Sequence, residues 1–357
     1  MNIKKTGNTL LFLLPILLVL GLSSCKHTDL EIDKPNENFR PAGDFVKNNY
    51  DLSLFSAAME KAGFTQKLNG TGPFTILAPS NEAFNLIGIT RPSDFDKMNP
   101  DSLKFLVGSH ILDRRLLSQD IPVNGIDIRY HTLAETEVYT SVFSGAEDPM
   151  IFFNGSYVSR LNVKIANGNL FVLKRVMKSS AKTTVQSWLA ARPQYSIFVS
   201  ALKKFGYWDE LTSEGPYTIF APKNEVFEAN GLTAEVIAGL KPDRYIRSRL
   251  VGCYVFRKKH FFVSDFYVLT QINNDGGYGG FIEDDTYFMT IGANAGLYYK
   301  GNSSYSIYVR TAKNYPYDPV GSAGCDVPAG IDNLTDNGIV QDLKGLLVLP
   351  EQAYKNN

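Results

Sequence analysis

The chain has 357 residues, long enough for about two domains at roughly 150 residues each. Hydrophobic residues make up 44% and charged residues 20%, the balance of an ordinary globular protein. Lysine plus arginine and aspartate plus glutamate both number 36, so no basic excess points to nucleic acid as a partner.

The N-terminus differs in kind from the rest. Lys4 and Lys5 precede the apolar run Leu10 to Leu22. That run is too short for an ordinary spanning helix, which takes about 20 residues, but suits a secretory signal. It ends in Leu-Ser-Ser-Cys, and small residues just before Cys25 resemble the lipobox of bacterial lipoproteins. The resemblance implies cleavage before Cys25, acylation of that cysteine, and a lipid-held protein at the outer membrane, on its inner or outer face. A plain signal peptide with an incidental cysteine is the alternative. Residues 25–44 are polar, carry two prolines and show no helical period, as a flexible tether does. Asp29 to Asp33 in that tether is a weak version of an acidic export signal found in surface lipoproteins of Bacteroidetes-like bacteria.

Beyond the tether the chain repeats itself. "GPFTILAPSNEAF" (72–84) returns as "GPYTIFAPKNEVF" (215–227), and "SLFSAAMEKAGF" (53–64) as "SIFVSALKKFGY" (196–207), both displaced by 143 residues. "LVGSHILDRR" (106–115) matches "LVGCYVFRKK" (250–259), and each copy closes on Asn-Gly, at 167 and 337. A period this long is a domain, not a solenoid unit. Two tandem domains are expected, over 45–179 and 183–352. Leu54, Phe55, Ala58, Met59 and Ala62 fall at helical spacing, with Gly63 as terminator. Phe74 to Ala78 reads as a buried strand stopped by Pro79. Ser80 or Asn81 would cap the next helix, and since Lys223 stands where Ser80 does, Asn81 and Asn224 are the better shared candidates. Asn154-Gly155 and Asn167-Gly168 signal hairpins between alternating strands. Each domain is therefore α+β, helices first and antiparallel strands after.

This pattern resembles the fasciclin (FAS1) domain, whose first block looks like "GPFTVFAPTNEAF" and whose last looks like "NGVVHVIDRVLLP". The resemblance covers most of 44–352. It implies two β-sandwich or wedge domains packed with helices, a secreted or surface-anchored adhesion protein, and no enzyme. Many family members carry a mid-domain Tyr-His pair linked to integrin contact. Here Ser109-His110 and Cys253-Tyr254 stand there, so only His110 carries over, as a ligand contact or as an internally bonded histidine.

The second copy is longer, because the displacement grows from 143 at the front to 170 at the closing Asn-Gly. The insertion, at about 261–319, is rich in tyrosine and phenylalanine. These rings either stack on a ligand or line strands. Tyr278, inside "GGYGG", is expected on an exposed loop, and with Phe281 is the candidate ligand contact. Cys253 and Cys325 are the pair a disulfide would join, with a buried thiol at Cys253 as the alternative. Glu283 to Asp285 would hold calcium or form a charged turn. No catalytic, metal-binding or cofactor motif is present. The expected partners are a glycan, a matrix component or a surface protein. The rival is a docking subunit of an outer-membrane uptake or assembly complex.

Overall fold

In the computed structural model, the structure describes residues 39–145, 148–178, 180, 182–258, 260–273, 278–282, 286–295, 303–312 and 318–355. Cys25, the expected signal and tether up to residue 38, and 283–285 lie outside them.

The first repeat opens with helices α1 (Ala42–Lys47), α2 (Ser53–Lys61) and α3 (Thr65–Leu68), followed by strand β1 (Phe74–Pro79), α4 (Asn81–Asn85) and α5 (Pro100–Ser109). The predicted stripe of α2 is buried at Leu54, Phe55, Ala58 and Met59, and Gly63 follows at φ +76°. Strands β2 (Ile111–Leu112), β3 (Gly125–His131), β4 (Glu137–Ser144), β5 (Pro149–Phe153), β6 (Ser156–Ile165) and β7 (Gly168–Leu173) complete it. They form one sheet in the order β2-β1-β7-β6-β5-β4-β3. The sheet is not purely antiparallel as expected: β1 pairs parallel with β7, from Phe74↔Gly168 to Pro79↔Leu173. Both strands are buried along their whole length, the environment that parallel pairs occupy.

The second repeat carries α6 (Val185–Ala190), α7 (Ser196–Lys204), strand β8 (Tyr217–Pro222), α8 (Asn224–Ala229), α9 (Ala234–Gly239), α10 (Arg247–Leu250), β9 (Val255–Arg257) and α11 (Val263–Asn273). Strands β10 (Tyr278–Phe281), β11 (Tyr287–Ala295), β12 (Ser303–Thr311) and β13 (Pro319–Cys325) make an antiparallel sheet. Strands β14 (Asn333–Thr335) and β15 (Gly338–Leu343) join β8 and β9 in another, ordered β14-β15-β8-β9. β8 lies parallel to β15, as β1 does to β7.

The repeated string builds this frame. Of the two cap candidates it is Ser80 that caps the helix, accepting from Ala83 N at 3.2 Å, and not the shared Asn81. The Asn81 side chain reaches back to the start of α2, accepting from Leu54 N at 2.9 Å and donating to Tyr50 O and Ser53 Oγ. Asn224 does the same at the start of α7, to Ile197 N, Pro193 O and Ser196 Oγ. One amide thus supplies the donors and acceptors that a helix start leaves open. Asn154-Gly155 forms the predicted two-residue turn with both φ positive. At Asn167-Gly168 the turn sits one residue earlier, since Ile165 pairs with Gly168. Gly168 is needed for another reason: a Cβ there would lie 1.9 Å from Phe74 O, and one at Gly338 would lie 2.4 Å from Tyr217 O. The asparagines are clamps. Asn167 accepts from Ala42 N and donates to Leu68 O and Gly70 O, while Asn337 accepts from Val185 N and donates to Leu211 O and Ser213 O.

The described residues of the insertion form a helix and an antiparallel sheet. Its α11 is buried over its first two turns, at Val263, Ser264, Asp265, Phe266 and Val268, and exposed only at Ile272 and Asn273. α11 packs on β11 and β12 of its own domain and on β3 and β4 of the first. Tyr278 lies in strand β10 and not on a loop, half-buried, with its ring 5.2 Å from Phe261 and 6.0 Å from Phe266. Two tyrosines of the inserted sheet, Tyr287 and Tyr305, line its buried face, and Tyr308 is exposed. The Phe281 backbone pairs with Phe288, and its side chain lies outside what is described.

Candidate functional site

The last strand of the first repeat runs into "KRVMKS", a segment that carries two cations into the seam between the domains. Arg175 Nη2 donates to Gly155 O at 2.6 Å and to Asp332 Oδ2 at 2.7 Å. Side-chain exposure is 11% for Arg175 and 3% for Asp332, so this ion pair is shielded from water. Asp332 Oδ1 also accepts from Val263 N at 2.8 Å and Gln341 Nε2 at 3.1 Å. Such added bonds are what a buried carboxylate requires. Lys178 Nζ donates to Ala329 O, Ile331 O and Asn333 Oδ1, at 2.6–2.9 Å. Burial lowers the Lys178 pKa to about 8, against the pull of Asp332.

Nearby, α11 and the residues just before it bring apolar and polar groups to the first domain's sheet. The His260 ring lies 4.3 Å from Tyr139, and Phe262 sits 5.9 Å from the same tyrosine. Ser141 and Ser264 hydroxyls meet at 3.2 Å. Tyr267 packs 6.2 Å from Phe152. Burial holds His260 at about 4, neutral at ordinary pH. Burial also raises Asp265 to about 8, although Phe262 N donates to it at 2.8 Å.

Above this seam lies a cleft of about 750 Å3. Ligand pockets span roughly 300–1,000 Å3. One wall is from the first domain: Leu86, Ile87, Met98, Phe105 and Leu106. The other is Trp188, Ile331 and Leu334 of the second domain. Val176, Met177 and Lys178 lie between. Lys182 and Arg192 stand at the linker end, with Arg192 stacked 3.8 Å over the Trp188 ring.

Sequence reading did not find this site. Its signal was present as charges placed within an apolar alternation: Arg175 and Lys178 after β7, Asp332 before β14. The residues singled out from sequence lie elsewhere. His110 is fully buried behind the cleft wall; its Nδ1 donates to Leu106 O at 2.8 Å and its Nε2 accepts from Met177 N at 3.1 Å. Desolvation lowers its pKa to about 4, so it is a neutral structural bridge and does not face a ligand. Tyr254 replaces it in the second repeat, its hydroxyl accepting from Leu347 N at 2.8 Å. Tyr278 lines a separate pocket of about 280 Å3, with Cys253, Phe256 and Met289. Cys253 and Cys325 are both buried and unbridged. Cys253 lies on the turn beside β9, whereas Cys325 ends β13 opposite Tyr305, its Sγ toward Val327 O. Burial raises the pKa of both thiols. Among the described residues, no group of three or more His, Cys, Asp or Glu is placed to hold a metal.

Human periostin is 27% identical over 196 residues, covering 54% of this chain and 22% of periostin. Pig transforming growth factor-beta-induced protein ig-h3 is 26% identical, covering 50% of this chain and 24% of its own length. Human stabilin-1 is 26% identical over 49% of this chain and 7% of its own. The chain thus spans less than a quarter of the length of these three relatives. Among solved structures, the FAS1 domain pair from the insect cell adhesion molecule Fasciclin I aligns over 84% of this chain and 97% of its own, with 19% identity and a TM-score of 0.38. The sequence pattern of the Fasciclin domain matches residues 50–179 and 193–294. With two copies of that domain filling more than half of its length, the chain belongs to the fasciclin family.

Proposed function

We propose that this protein is a surface-anchored binding protein that acts in adhesion, meeting a matrix component, a glycan or a surface protein through its joined pair of FAS1 domains. Adhesion is the role that the resemblance to the fasciclin family implies for the chain. The observation that carries the reading is the join itself. Arg175, Lys178 and α11 fasten the two domains through buried contacts, so a partner meets one continuous surface already in place. Such preorganisation lowers the ordering cost of binding. Acylation of Cys25 would hold that surface at the outer membrane, since two or more acyl chains anchor stably.

The test is a screen of glycans and matrix polymers against residues 26–357. Specific binding, competed by free ligand, is expected; folded protein that binds nothing would end the reading of a free-standing adhesin. Retrieval of a defined membrane complex by the anchored protein, with no polymer binding, would instead establish the docking subunit. Cys25→Ser is expected to release the protein from the membrane fraction and abolish labelling by a palmitate analogue. Retained labelling would place the acyl group elsewhere.

A further inference from the structure

The walls of the interdomain cleft have little hydrogen-bonding capacity to offer. Asn154 accepts from Tyr139 N and donates to Lys178 O. Asn333 spends its amide on Gly330 O, Val340 O and Lys178. Ser180 is bonded to Asp336. Arg175, Lys178 and Asp332 are engaged with one another's surroundings as described above. A sugar or an extended peptide main chain entering here would leave many of its own polar groups unpaired, at a cost. What the cleft does offer is apolar surface and charge. Ile87 is 49% exposed. Phe105 and Leu106 are half-buried beside it. The lining holds four cations, Arg175, Lys178, Lys182 and Arg192, against two carboxylates, Asp101 and Asp332. Arg175 and Asp332 cancel, and Asp101 lies on the helix α5 wall. At the linker end stand Lys182 and Arg192, with Asp336, bonded to Ser180, as the carboxylate beside them.

We propose that this cleft binds a long-chain carboxylate, its acyl chain along Leu86, Ile87, Phe105 and Leu106 and its head toward Lys182 and Arg192. A methylene chain asks for no hydrogen bonds, and its charged end meets these two cations. The site is separate from any matrix contact: it needs neither the anchor nor an adhesion partner, so its failure leaves the adhesion reading untouched.

Trp188, one of only two tryptophans in the chain, lines the cleft and reports on its occupancy. Residues 26–357, which include every described residue, are titrated with dodecanoate below its micelle concentration, by fluorescence and by calorimetry. Dodecyltrimethylammonium and dodecyl maltoside serve as head-group controls. Saturable binding of one dodecanoate is expected, with affinity rising about fourfold per methylene from octanoate upward. Lys182→Glu and Ile87→Glu are both at exposed positions, where the fold tolerates change, and each is expected to weaken binding tenfold or more. The proposal is overturned by no saturable heat, by equal binding of all three head groups, or by indifference to both variants. Selective capture of a glycan or an acidic peptide, lost on Lys182→Glu, would overturn it as well, since the cleft would then belong to that ligand.

Discussion

The two repeats solve one structural problem with different chemistry. In the first, Asn162 at φ +50° accepts from Ser118 N and donates to Ser118 Oγ. In the second, displaced by 170 residues, Asp332 at φ +56° accepts from Val263 N. A neutral amide has become a carboxylate, and its second oxygen reaches Arg175 across the seam. The change converts a clamp within one domain into a bond between two. The sheets diverge in parallel. β6 continues into β5, β4 and β3 in the first repeat, whereas β14 is an edge in the second. There α11 and a separate sheet take up the sequence, and α11 is the element that meets the first domain. The insertion thus supplies one part of the join, beside the Arg175–Asp332 pair and the Lys178 bonds.

The largest expected effect follows from undoing that charge. Asp332→Asn restores the first repeat's chemistry, keeps an acceptor for Val263 N, and leaves Arg175 buried without its counter-ion. Breaking a buried pair on one side costs about 3–5 kcal/mol, so urea unfolding should show a loss of that size. Pairing it with Arg175→Met should recover most of the loss. If the double variant is no more stable than the single, the join does not rest on this pair.

Next in size is the response to pH. Buried His110 and His260 titrate near 4 in the folded protein and near 6.5 unfolded. Between those values the unfolded state binds two more protons at these sites. Asp265, held near 8 when folded and near 3.8 when unfolded, offsets one of them. Stability should therefore fall from pH 6.5 to pH 4, by on the order of 3 kcal/mol. From 6.5 to 8 only Asp265 differs, and stability should fall as pH rises. Above 8 the buried Lys178, lowered from 10.5, reverses the slope. A maximum near 6.5 in the urea midpoint is the signature, and Asp265→Asn should flatten its alkaline side. A monotonic profile would contradict these assignments.

Sequence reading reached the repeat, the α+β class and the interior of each copy because short-range pattern encodes them: the stripe Leu54, Phe55, Ala58, Met59 and the apolar run Phe74 to Ala78. It misassigned residues whose partners lie far along the chain. Asn81 looks like a cap because caps are local, yet it bonds across 27 residues to Leu54. Asn167 looks like a turn residue, yet it ties Ala42 to Leu68. Tyr278 looks exposed because glycines flank it, but β11 and Phe266 cover it from elsewhere. The cleft was illegible for the same reason: its walls come from four separated stretches, 83–106, Asn154, 175–192 and 331–334.

The asparagine clamps sharpen the comparison at intermediate cost. Asn81→Ala and Asn224→Ala each remove three bonds at a helix start, and each should cost about 1–3 kcal/mol. Hydrogen exchange should localise the loss, to α2 for the first and α7 for the second. Unequal effects would mean that the repeats no longer use the string alike.

The smallest effects concern the one place in the string where the copies differ in kind. Ser80 caps α4, and Ser80→Ala should cost about 1 kcal/mol. Lys223 in the second copy offers α8 no side-chain cap, and serine there would add one. But Lys223 Nζ sits 2.8 Å from Asp342, whose side chain is only 10% exposed. Tyr195 also donates to that carboxylate, which would lose its cation. Lys223→Ser should therefore destabilise, by about 1–2 kcal/mol after the cap is credited. Val172 stands at the position matching Asp342 in the first repeat, so the serine there carries no such duty. Combining Lys223→Ser with Asp342→Asn removes the stranded charge and should bring the cap's benefit into view. If Lys223→Ser alone stabilises the protein, Asp342 does not need its lysine, and the missing cap is a plain defect of the second copy.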